Sequence, residues 1–193
     1  MIWLDRTRQW GKSLDEIRPD HVARYRFAST KLKPKSFILD IACGCGYGSK
    51  LLHDKGFTVY GVDIDEGAIQ FARTHHNGPH FIQGEAGDTY GPFDGIVSFE
   101  TLEHLKNPLE TLKNFEAPIL WASVPNEEKY PFNPEKFKDD DYPHQRHYTP
   151  SEFEQLLVAG GFEVFERYCQ KDKIGEITKG TDGIFIIYGC RQV

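Results

Sequence analysis

The sequence predicts an α/β fold in which a mainly parallel β-sheet lies between two layers of helices. Apolar segments of strand length alternate with helical segments along most of the 193 residues, and this alternation implies parallel strands joined by helical crossovers. Only a polar loop around Gly175 and Gly180 separates the last two apolar segments, which should therefore form an antiparallel hairpin. No internal repeat is visible, so the chain is interpreted as one domain spanning residues 1–193.

Residues 1–34 are predicted to form a helical segment ahead of the first strand. Ser13-Leu14-Asp15-Glu16 has the sequence of a capping box, and Asp20 is placed to cap a second helix. The apolar face of that second helix consists of Val22, Tyr25, Ala28 and Leu32, which follow helical spacing.

Seven strands are predicted, at about residues 36–42, 57–62, 80–82, 93–99, 119–124, 162–169 and 183–190. The helices between them carry terminal signals that satisfy backbone groups left unpaired at a helix end. Gly56 ends the helix after the first strand, and Asp65 caps the next. Asn107-Pro108 begins a third, and Thr149-Pro150-Ser151-Glu152 begins a fourth that ends at Gly160-Gly161.

The connection from Pro125 to Tyr148 differs from the rest of the chain. It contains four of the eleven prolines and the aromatic residues Tyr130, Phe132, Phe137, Tyr142 and Tyr148, without clear periodicity. Connections of this length in compact domains are usually lids or binding loops. Since it follows the fifth strand, we expect residues 125–148 to form a lid over the carboxyl edge of the sheet.

A glycine-rich turn is the most informative motif. The apolar strand ending at Asp40-Ile41 runs into Ala42-Cys43-Gly44-Cys45-Gly46-Tyr47-Gly48, and a second strand ends at Asp63. Glycines let the backbone approach a nucleoside cofactor, and the later carboxylate can accept hydrogen bonds from its ribose hydroxyls. A dinucleotide fingerprint would have Gly or Ala where Ser49 stands. Asp40 would repel a pyrophosphate, whereas it suits a cofactor that carries an ammonium and a sulfonium.

The string D-x-x-C-G-x-G followed by V-D-I-D resembles the class I S-adenosylmethionine (SAM) dependent methyltransferases. The resemblance covers nearly the whole chain. It implies a three-layer Rossmann-like methyltransferase fold, with a seven-stranded sheet that contains one reversed strand. It also implies SAM as cofactor and S-adenosylhomocysteine as product. The alternative is a structural turn between a strand and a helix.

The resemblance also implies a set of cofactor-binding residues. Asp63 should accept both ribose hydroxyls, Ile64 should pack on the adenine, and Asp40 should serve the methionine end through the loop and water. Glu85-Ala86 fits the acid-Ala pair that meets the adenine, with Asp88 as the rival. The full set is Tyr25, Asp40, Ala42, Gly44, Gly46, Asp63, Ile64, Glu85, Ala86 and Phe99.

The helix string Arg24-Tyr25-Arg26-Phe27-Ala28 resembles a helix of methyltransferases associated with glycan and surface-polysaccharide pathways. There the tyrosine and arginine lie beside the methionine end of SAM. The alternative is an ordinary amphipathic helix with Tyr25 packed and Arg24 solvated.

The end of the fourth strand, Ser98 to Leu105, carries the candidate chemistry. It lacks the N-P-P-Y-like and Pro-Cys motifs of DNA base methylation. Its E-x-x-E-H string resembles ubiquinone-pathway O-methyltransferases and small-RNA 2′-O-methyltransferases, in which two glutamates and two histidines bind a divalent metal. Here those residues would be Glu100, Glu103, His104 and His144. We favour a metal-free site with His104, His144 and Glu100 as the candidate catalytic residues.

These features predict methyl transfer to a hydroxyl of a small-molecule or sugar-like (glycan) acceptor. The net charge of −6 and pI near 5.7 disfavour a nucleic-acid substrate. Two alternatives remain open: a metal-dependent 2′-O RNA methyltransferase, and a SAM-binding protein without catalysis.

The sequence does not indicate the oligomeric state, but three features bear on the compartment. No apolar run approaches the length of a membrane span, and Met1 to Arg6 lacks the pattern of a signal peptide. The four cysteines do not form a disulfide framework. The expected location is therefore the cytoplasm.

Overall fold

The computed structural model describes residues 9–88, 90–138 and 140–193. Its sheet has the strand order β3-β2-β1-β4-β5-β8-β6-β7. The strands are β1 (Phe37–Ile41), β2 (Thr58–Asp63), β3 (His80–Gln83), β4 (Gly95–Phe99), β5 (Ile119–Pro125), β6 (Phe162–Gln170), β7 (Ile177–Lys179) and β8 (Phe185–Gln192). The first five are mutually parallel, whereas β8 pairs antiparallel with both β5 and β6.

Helices cover both faces of the sheet. They are α1 (Pro19–Lys31), α2 (Tyr47–Asp54), α3 (Glu66–His75), α4 (Pro108–Lys113), α5 (Pro134–Phe137) and α6 (Pro150–Ala159). Alternate residues of a strand point to opposite faces, so Ile38 packs in the cluster with α1 and α2, whereas Leu39 packs in the cluster with α4 and α6. The predicted three-layer Rossmann-like fold is confirmed.

The strand count is the main correction to the predicted sheet. The expected hairpin of the last two strands is present as β6 and β8, which pair antiparallel from Phe162 with Gln192 to Gln170 with Phe185. The loop between them contains an additional strand, β7, which pairs antiparallel with β6. The sequence did not predict this eighth strand because its three residues, Ile-Thr-Lys, are too short to show an alternating pattern.

The predicted helix caps divide into two groups. Asp65 accepts a hydrogen bond from the backbone N–H of Ala68, and Thr149 forms a complete capping box, both as predicted. Two other predictions were wrong. The turn after Ser13 is a 3-10 helix without a side-chain cap, and Asp20 lies inside the first turn of α1 rather than at its cap. Asp20 pairs instead with arginine side chains.

Residues 1–8 of the expected N-terminal segment lie outside the described part of the chain. In the described part, the segment contains the 3-10 turn Leu14–Glu16 and α1. Among all the residues that the structure describes, no helix is long and apolar enough to cross a membrane.

The connection after β5 is anchored at its base. Asn126 is fully buried, and its Nδ2 donates hydrogen bonds to the carbonyl oxygens of Thr181 and Gly183 at 3.0 and 2.8 Å. The backbone of Asn126 also forms an isolated bridge with Tyr148 at the far end of the connection. The residues between them contain the one-turn helix α5. The predicted lid segment is therefore a loop whose two ends are joined.

Candidate active site

A cavity of about 1190 Å³ lies at the carboxyl ends of the parallel strands. Its walls come from the loops after β1, β2 and β4, from the N-terminal part of α1, and from the connection after β5. Open α/β sheets bind ligands at this edge, where neighbouring loops diverge. Most of the predicted site residues line it: Tyr25, Ala42, Gly44, Asp63, Ile64, Glu85, Ala86, Phe99, Glu100, His104 and His144.

The glycine-rich turn presents its backbone to the cavity at one end only. Ala42 and Gly44 line the cavity with positive φ values of 58° and 56°. A Cβ added to Gly44 would meet no atom within 4 Å, so this position faces open space. Gly46 has a different role, because a Cβ there would lie 2.7 Å from the Phe81 ring and 2.8 Å from Ala72 Cβ. Gly46 thus allows close packing behind the turn and does not line the cavity.

Asp63, at the end of β2, is held by backbone donors. Its Oδ2 accepts the N–H of Gly44 at 2.8 Å, and its Oδ1 accepts the N–H of Asp65 at 2.9 Å. Each carboxylate oxygen has a further lone pair. The carboxylate is thus fixed beside the turn, in the wall of the cavity.

The neighbouring residues suit a flat apolar group. Ile64 is 48% exposed although it follows a buried strand, and it lines the cavity. Glu85, Ala86 and Asp88 line the same region. Asp88 Oδ2 accepts the backbone N–H of Glu85 at 3.2 Å and a hydrogen bond from the Tyr90 hydroxyl at 3.3 Å, so it stabilises this turn.

Asp40 lies beneath the cavity, not in its wall. It is fully buried and accepts hydrogen bonds from the Tyr25 hydroxyl at 2.9 Å and from Ser49 Oγ at 2.6 Å. Burial raises the pKa of Asp40 to about 7. The Tyr25 ring, which does line the cavity, packs edge-on against Phe99 with 5.1 Å between ring centroids. Asp40 therefore influences the cavity only indirectly, because it positions Tyr25 and the start of α2.

Arg24 is fully buried, so it is not the solvated residue of the amphipathic-helix interpretation. Its Nη1 donates to Gln170 Oε1 at 2.7 Å, and its Nη2 lies 3.5 Å from Asp20 Oδ2. The guanidinium also lies 4.8 Å from the centroid of the Phe185 ring. The free-energy cost of burying this charge is offset by the neighbouring carboxylates. Sequence inspection did not predict this network, because Gln170 is 146 residues away along the chain.

Glu100 and Glu103 have different surroundings. Glu100 lines the cavity at φ 54°; its Oε1 accepts a hydrogen bond from Ser123 Oγ at 2.8 Å and lies 3.9 Å from Arg24 Nη1. Glu103 is fully buried, and neither of its carboxylate oxygens has a hydrogen-bond partner among the described residues. Burial, reinforced by the charge of Glu100, raises the pKa of Glu103 well above its ordinary value. Its surroundings therefore favour the protonated, uncharged carboxyl group.

Two imidazoles meet at the cavity wall beside this carboxyl group. The ring centroids of His104 and His144 are 4.5 Å apart, and both residues line the cavity. His144 stacks on Phe137 of α5 with 4.0 Å between centroids. Burial, with a further contribution from His104, lowers the pKa of His144 to about 2. A nitrogen of each ring and a Glu103 oxygen lie within 4.8 Å of one another, so three of the four residues of the metal alternative come together.

His147 was missed by sequence inspection. It is buried behind His144, and its Nε2 lies 2.9 Å from His144 Nδ1. The signal was present in the string His144-Gln145-Arg146-His147, because two histidines three residues apart can meet in a tight turn.

Comparison with known proteins identifies the family. The protein-family model described as "Methyltransferase domain" matches residues 14–167 of this chain. The chain belongs to this methyltransferase family. It is a class I SAM-dependent methyltransferase domain, and SAM is its cofactor. The residues present fit that cofactor, because the anchored acceptor Asp63, the exposed Ile64 and the open approach at Gly44 share one wall of the cavity.

Two curated relatives illustrate the family. A protein of Mycolicibacterium smegmatis named as an S-adenosylmethionine-dependent methyltransferase is 27% identical over 66% of this chain and 52% of its own length. The chain thus spans about half the length of that relative. A ubiquinone biosynthesis O-methyltransferase of Coxiella burnetii is 27% identical over 84% of this chain and 80% of its own length.

Two solved structures share the fold. One is a methyltransferase from Haloferax volcanii in complex with the Trm112 methyltransferase activator, with a TM-score of 0.75 and 17% identity over 90% of both chains. The other is magnesium protoporphyrin IX methyltransferase from Synechocystis with bound SAM. It has a TM-score of 0.63 and 18% identity over 90% of this chain and 77% of its own.

Proposed function

We propose that this protein transfers a methyl group from SAM to a hydroxyl group of a small-molecule or sugar-like acceptor, without a metal ion. The observation that carries the proposal is the pair of imidazoles, His104 and His144, in the wall of the cavity that also contains Asp63. Imidazoles are the side chains that most often receive a proton from a reacting group.

The cofactor half of the site is assigned to residues that suit each part of SAM. Asp63 would hold the ribose hydroxyls, Ile64 and Ala86 would contact the adenine, and Tyr25 and Phe99 would border the methionine end. When bound, SAM supplies an electrophilic methyl group on a sulfonium. The protein then has to orient the acceptor oxygen and receive its proton.

We assign the receipt of the proton to His144. Its lowered pKa leaves the ring uncharged at neutral pH, so a ring nitrogen can accept a hydrogen bond from the acceptor hydroxyl. The acceptor oxygen becomes strongly acidic as its bond to carbon forms, and a weak base is then sufficient. His104, whose ring centroid is 4.5 Å from that of His144, would orient the acceptor. Glu100, which also lines the cavity, would accept a hydrogen bond from a second hydroxyl of the acceptor through its remaining lone pairs.

The acceptor half of the cavity supports a small cyclic acceptor. The residues that line it from the connection after β5 include Tyr130, Phe137 and Tyr142, whose rings offer flat surfaces. Lys136 adds a cation that donates to the Tyr130 hydroxyl at 2.8 Å. The relative named as a ubiquinone biosynthesis O-methyltransferase is consistent with an acceptor of this class.

A metal-dependent RNA 2′-O-methyltransferase is the second candidate, since ligand atoms of Glu103, His104 and His144 cluster within 4.8 Å. The structural neighbour solved with the Trm112 activator also leaves a protein partner open. Against the metal alternative, Glu100 accepts a hydrogen bond from Ser123, and the pKa of Glu103 is raised, so a metal ion would compete with a proton for that carboxyl group.

The deciding experiment measures S-adenosylhomocysteine formation with a panel of catechols, phenols and sugars, with and without EDTA. We expect turnover with at least one hydroxyl acceptor that survives chelation. His144→Phe should lower kcat by about 100-fold, in the range of a lost general base, with SAM affinity retained. Loss of activity in EDTA and recovery with Mg²⁺ would favour the metal alternative. No turnover with any acceptor, despite SAM binding, would favour a non-catalytic SAM-binding protein.

A further inference from the structure

A chain of hydrogen bonds runs from the backbone of the connection after β5 to the cavity. His147 Nδ1 lies 2.6 Å from the carbonyl oxygen of Tyr130, and His147 Nε2 lies 2.9 Å from His144 Nδ1. A carbonyl oxygen can only accept a hydrogen bond. The proton of His147 must therefore be on Nδ1, which donates to Tyr130.

The position of the proton on His147 determines the position of the proton on His144. The His147 side chain is completely buried and the His144 ring stacks on Phe137, and such surroundings favour a neutral imidazole that carries a single proton. With its proton on Nδ1, His147 can only accept at Nε2. His144 must then donate from its own Nδ1. The remaining nitrogen of His144, Nε2, is left as an acceptor on a ring that lines the cavity.

The surroundings of His147 indicate that it acts through His144. Its side chain is completely buried and is absent from the cavity wall, so it cannot touch an acceptor. It is packed among the rings of Tyr130, Phe132 and Phe137, and a Glu127 oxygen lies 4.0 Å from Nδ1. Lys136 is a nearby cation, and its charge helps to lower the pKa values of both imidazoles.

We infer that His147 is a positioning residue that fixes the tautomer of His144, so that the Nε2 lone pair of His144 faces the acceptor. The inference rests on the proposed function, in which His144 receives the proton of the acceptor hydroxyl. It assigns a role to a residue that makes no contact with substrate. The backbone carbonyl of Tyr130 thereby determines which nitrogen of His144 can act as the base.

Two variants separate this role from simple packing. His147→Phe keeps an aromatic ring in the cluster but removes both hydrogen bonds. His147→Gln offers an amide N–H to the Tyr130 carbonyl and an amide oxygen to His144 Nδ1, so it can restore the same tautomer. If the role of His147 were purely structural, His147→Phe would retain more activity than His147→Gln, because Phe preserves the ring contacts. If His147 is a positioning residue, His147→Gln retains more activity than His147→Phe.

The tautomer can be read without any acceptor by NMR of protein with ¹⁵N-labelled imidazoles. We expect the His144 proton on Nδ1 in the wild type and in His147→Gln, and a substantial population with the proton on Nε2 in His147→Phe. In turnover assays, His147→Phe should lower kcat by about 10- to 100-fold, part of the range for general base catalysis, with acceptor KM and SAM Kd changed less than about twofold. His147→Gln should recover most of the loss.

The positioning role fails if wild-type His144 carries its proton on Nε2, or if His147→Phe leaves the tautomer unchanged. It also fails if His147→Phe retains more activity than His147→Gln. Failure of the proposed function has a different signature. In that case the tautomers follow expectation in all three proteins, but His144→Phe does not reduce methyl transfer.

Discussion

Single carboxylates in this protein have roles that depend on their donors. Asp63 and Asp40 both end up close to the glycine-rich turn, yet Asp63 faces the cavity with two backbone donors and Asp40 is enclosed with two hydroxyl donors. The sequence predicted the position of both relative to the turn, because each lies at the carboxyl end of a strand of the parallel sheet. It could not predict that Tyr25, from a helix before that strand, would cover Asp40.

Removal of the Asp63 carboxylate should weaken cofactor binding. We expect Asp63→Ala to reduce the SAM binding free energy by about 2 to 4 kcal/mol, because a charged acceptor is lost and the ribose hydroxyls lose their partner. Isothermal titration calorimetry measures this directly, with Asp15→Ala, an exposed site, as the control. An unchanged Kd would show that the ribose acid has been misassigned.

Burial of Asp40 should make the stability of the protein depend on pH. Its pKa is raised from 3.8 to about 7, so the folded state keeps a proton that the unfolded chain releases. The stabilisation is fully present below the unfolded pKa and is lost as pH rises through about 7. Between about pH 5 and 8, wild-type protein should therefore lose about 3 kcal/mol more unfolding free energy than Asp40→Asn.

Urea denaturation at both pH values gives the four free energies that are needed. Asp15→Asn, at an exposed position, serves as the matched control and should follow the wild type. Equal pH dependence in Asp40→Asn and the wild type would contradict the assignment of a buried, protonated Asp40.

At the scale of elements, helix ends were predictable where a local signal decides them and unpredictable where tertiary contacts do. The Thr149 capping box depends only on residues within one turn, and it formed as expected. Asp20 offered an equally good local signal, but two arginines, Arg18 and Arg24, recruit its carboxylate. The same limit explains β7, since three residues become a strand only because β6 is beside them.

The start of α2 is packed so tightly against α1 that a methyl group should not fit. A Cβ on Gly48 would lie 2.1 Å from the Tyr25 ring, which Asp40 holds in place. Helix propensity alone predicts that Gly48→Ala is stabilising, whereas overpacking predicts a loss of about 1 to 3 kcal/mol. We expect the loss, measured by urea denaturation, and its reversal in a Tyr25→Leu background. A stabilised single variant would contradict this packing.

The connection after β5 should exchange amide hydrogens in two classes. We expect residues near Asn126 and Tyr148 to be protected, since their backbones pair with each other and Asn126 is anchored to the residues before β8. The intervening amides should exchange faster and slow down when S-adenosylhomocysteine and an acceptor bind. Hydrogen-exchange mass spectrometry measures both classes. Protection equal to that of β5 throughout the connection in the free protein would contradict its role as a lid.

At the scale of the whole molecule, the fold was predictable because the alternation of strands and helices is global and redundant. The acceptor half of the cavity was not, because its wall is assembled from one long connection, the start of α1 and the loop that contains Lys173. His147 illustrates the difference. Its neighbours along the chain are visible in the sequence, but its contact with the Tyr130 carbonyl depends on how the connection folds back.

The overall charge also makes a prediction about nucleic acid. With a net charge of −6, the protein should show no saturable binding to a short single-stranded RNA at physiological salt, since binding requires cationic groups that release counterions. Fluorescence anisotropy with labelled RNA, in the presence of S-adenosylhomocysteine, measures this. Saturable binding that weakens with added salt would revive the RNA methyltransferase alternative.

The position of β8 has a consequence for biosynthesis. β8 lies between β5 and β6 in the sheet, although it is the last of the eight strands to leave the ribosome. Until residues 185–192 emerge, β5 is an open edge and β6 with β7 has no place to attach. The nascent chain must therefore hold an unfinished sheet until this strand inserts. That interval is when an exposed edge strand could pair with another chain and when a chaperone would have most effect.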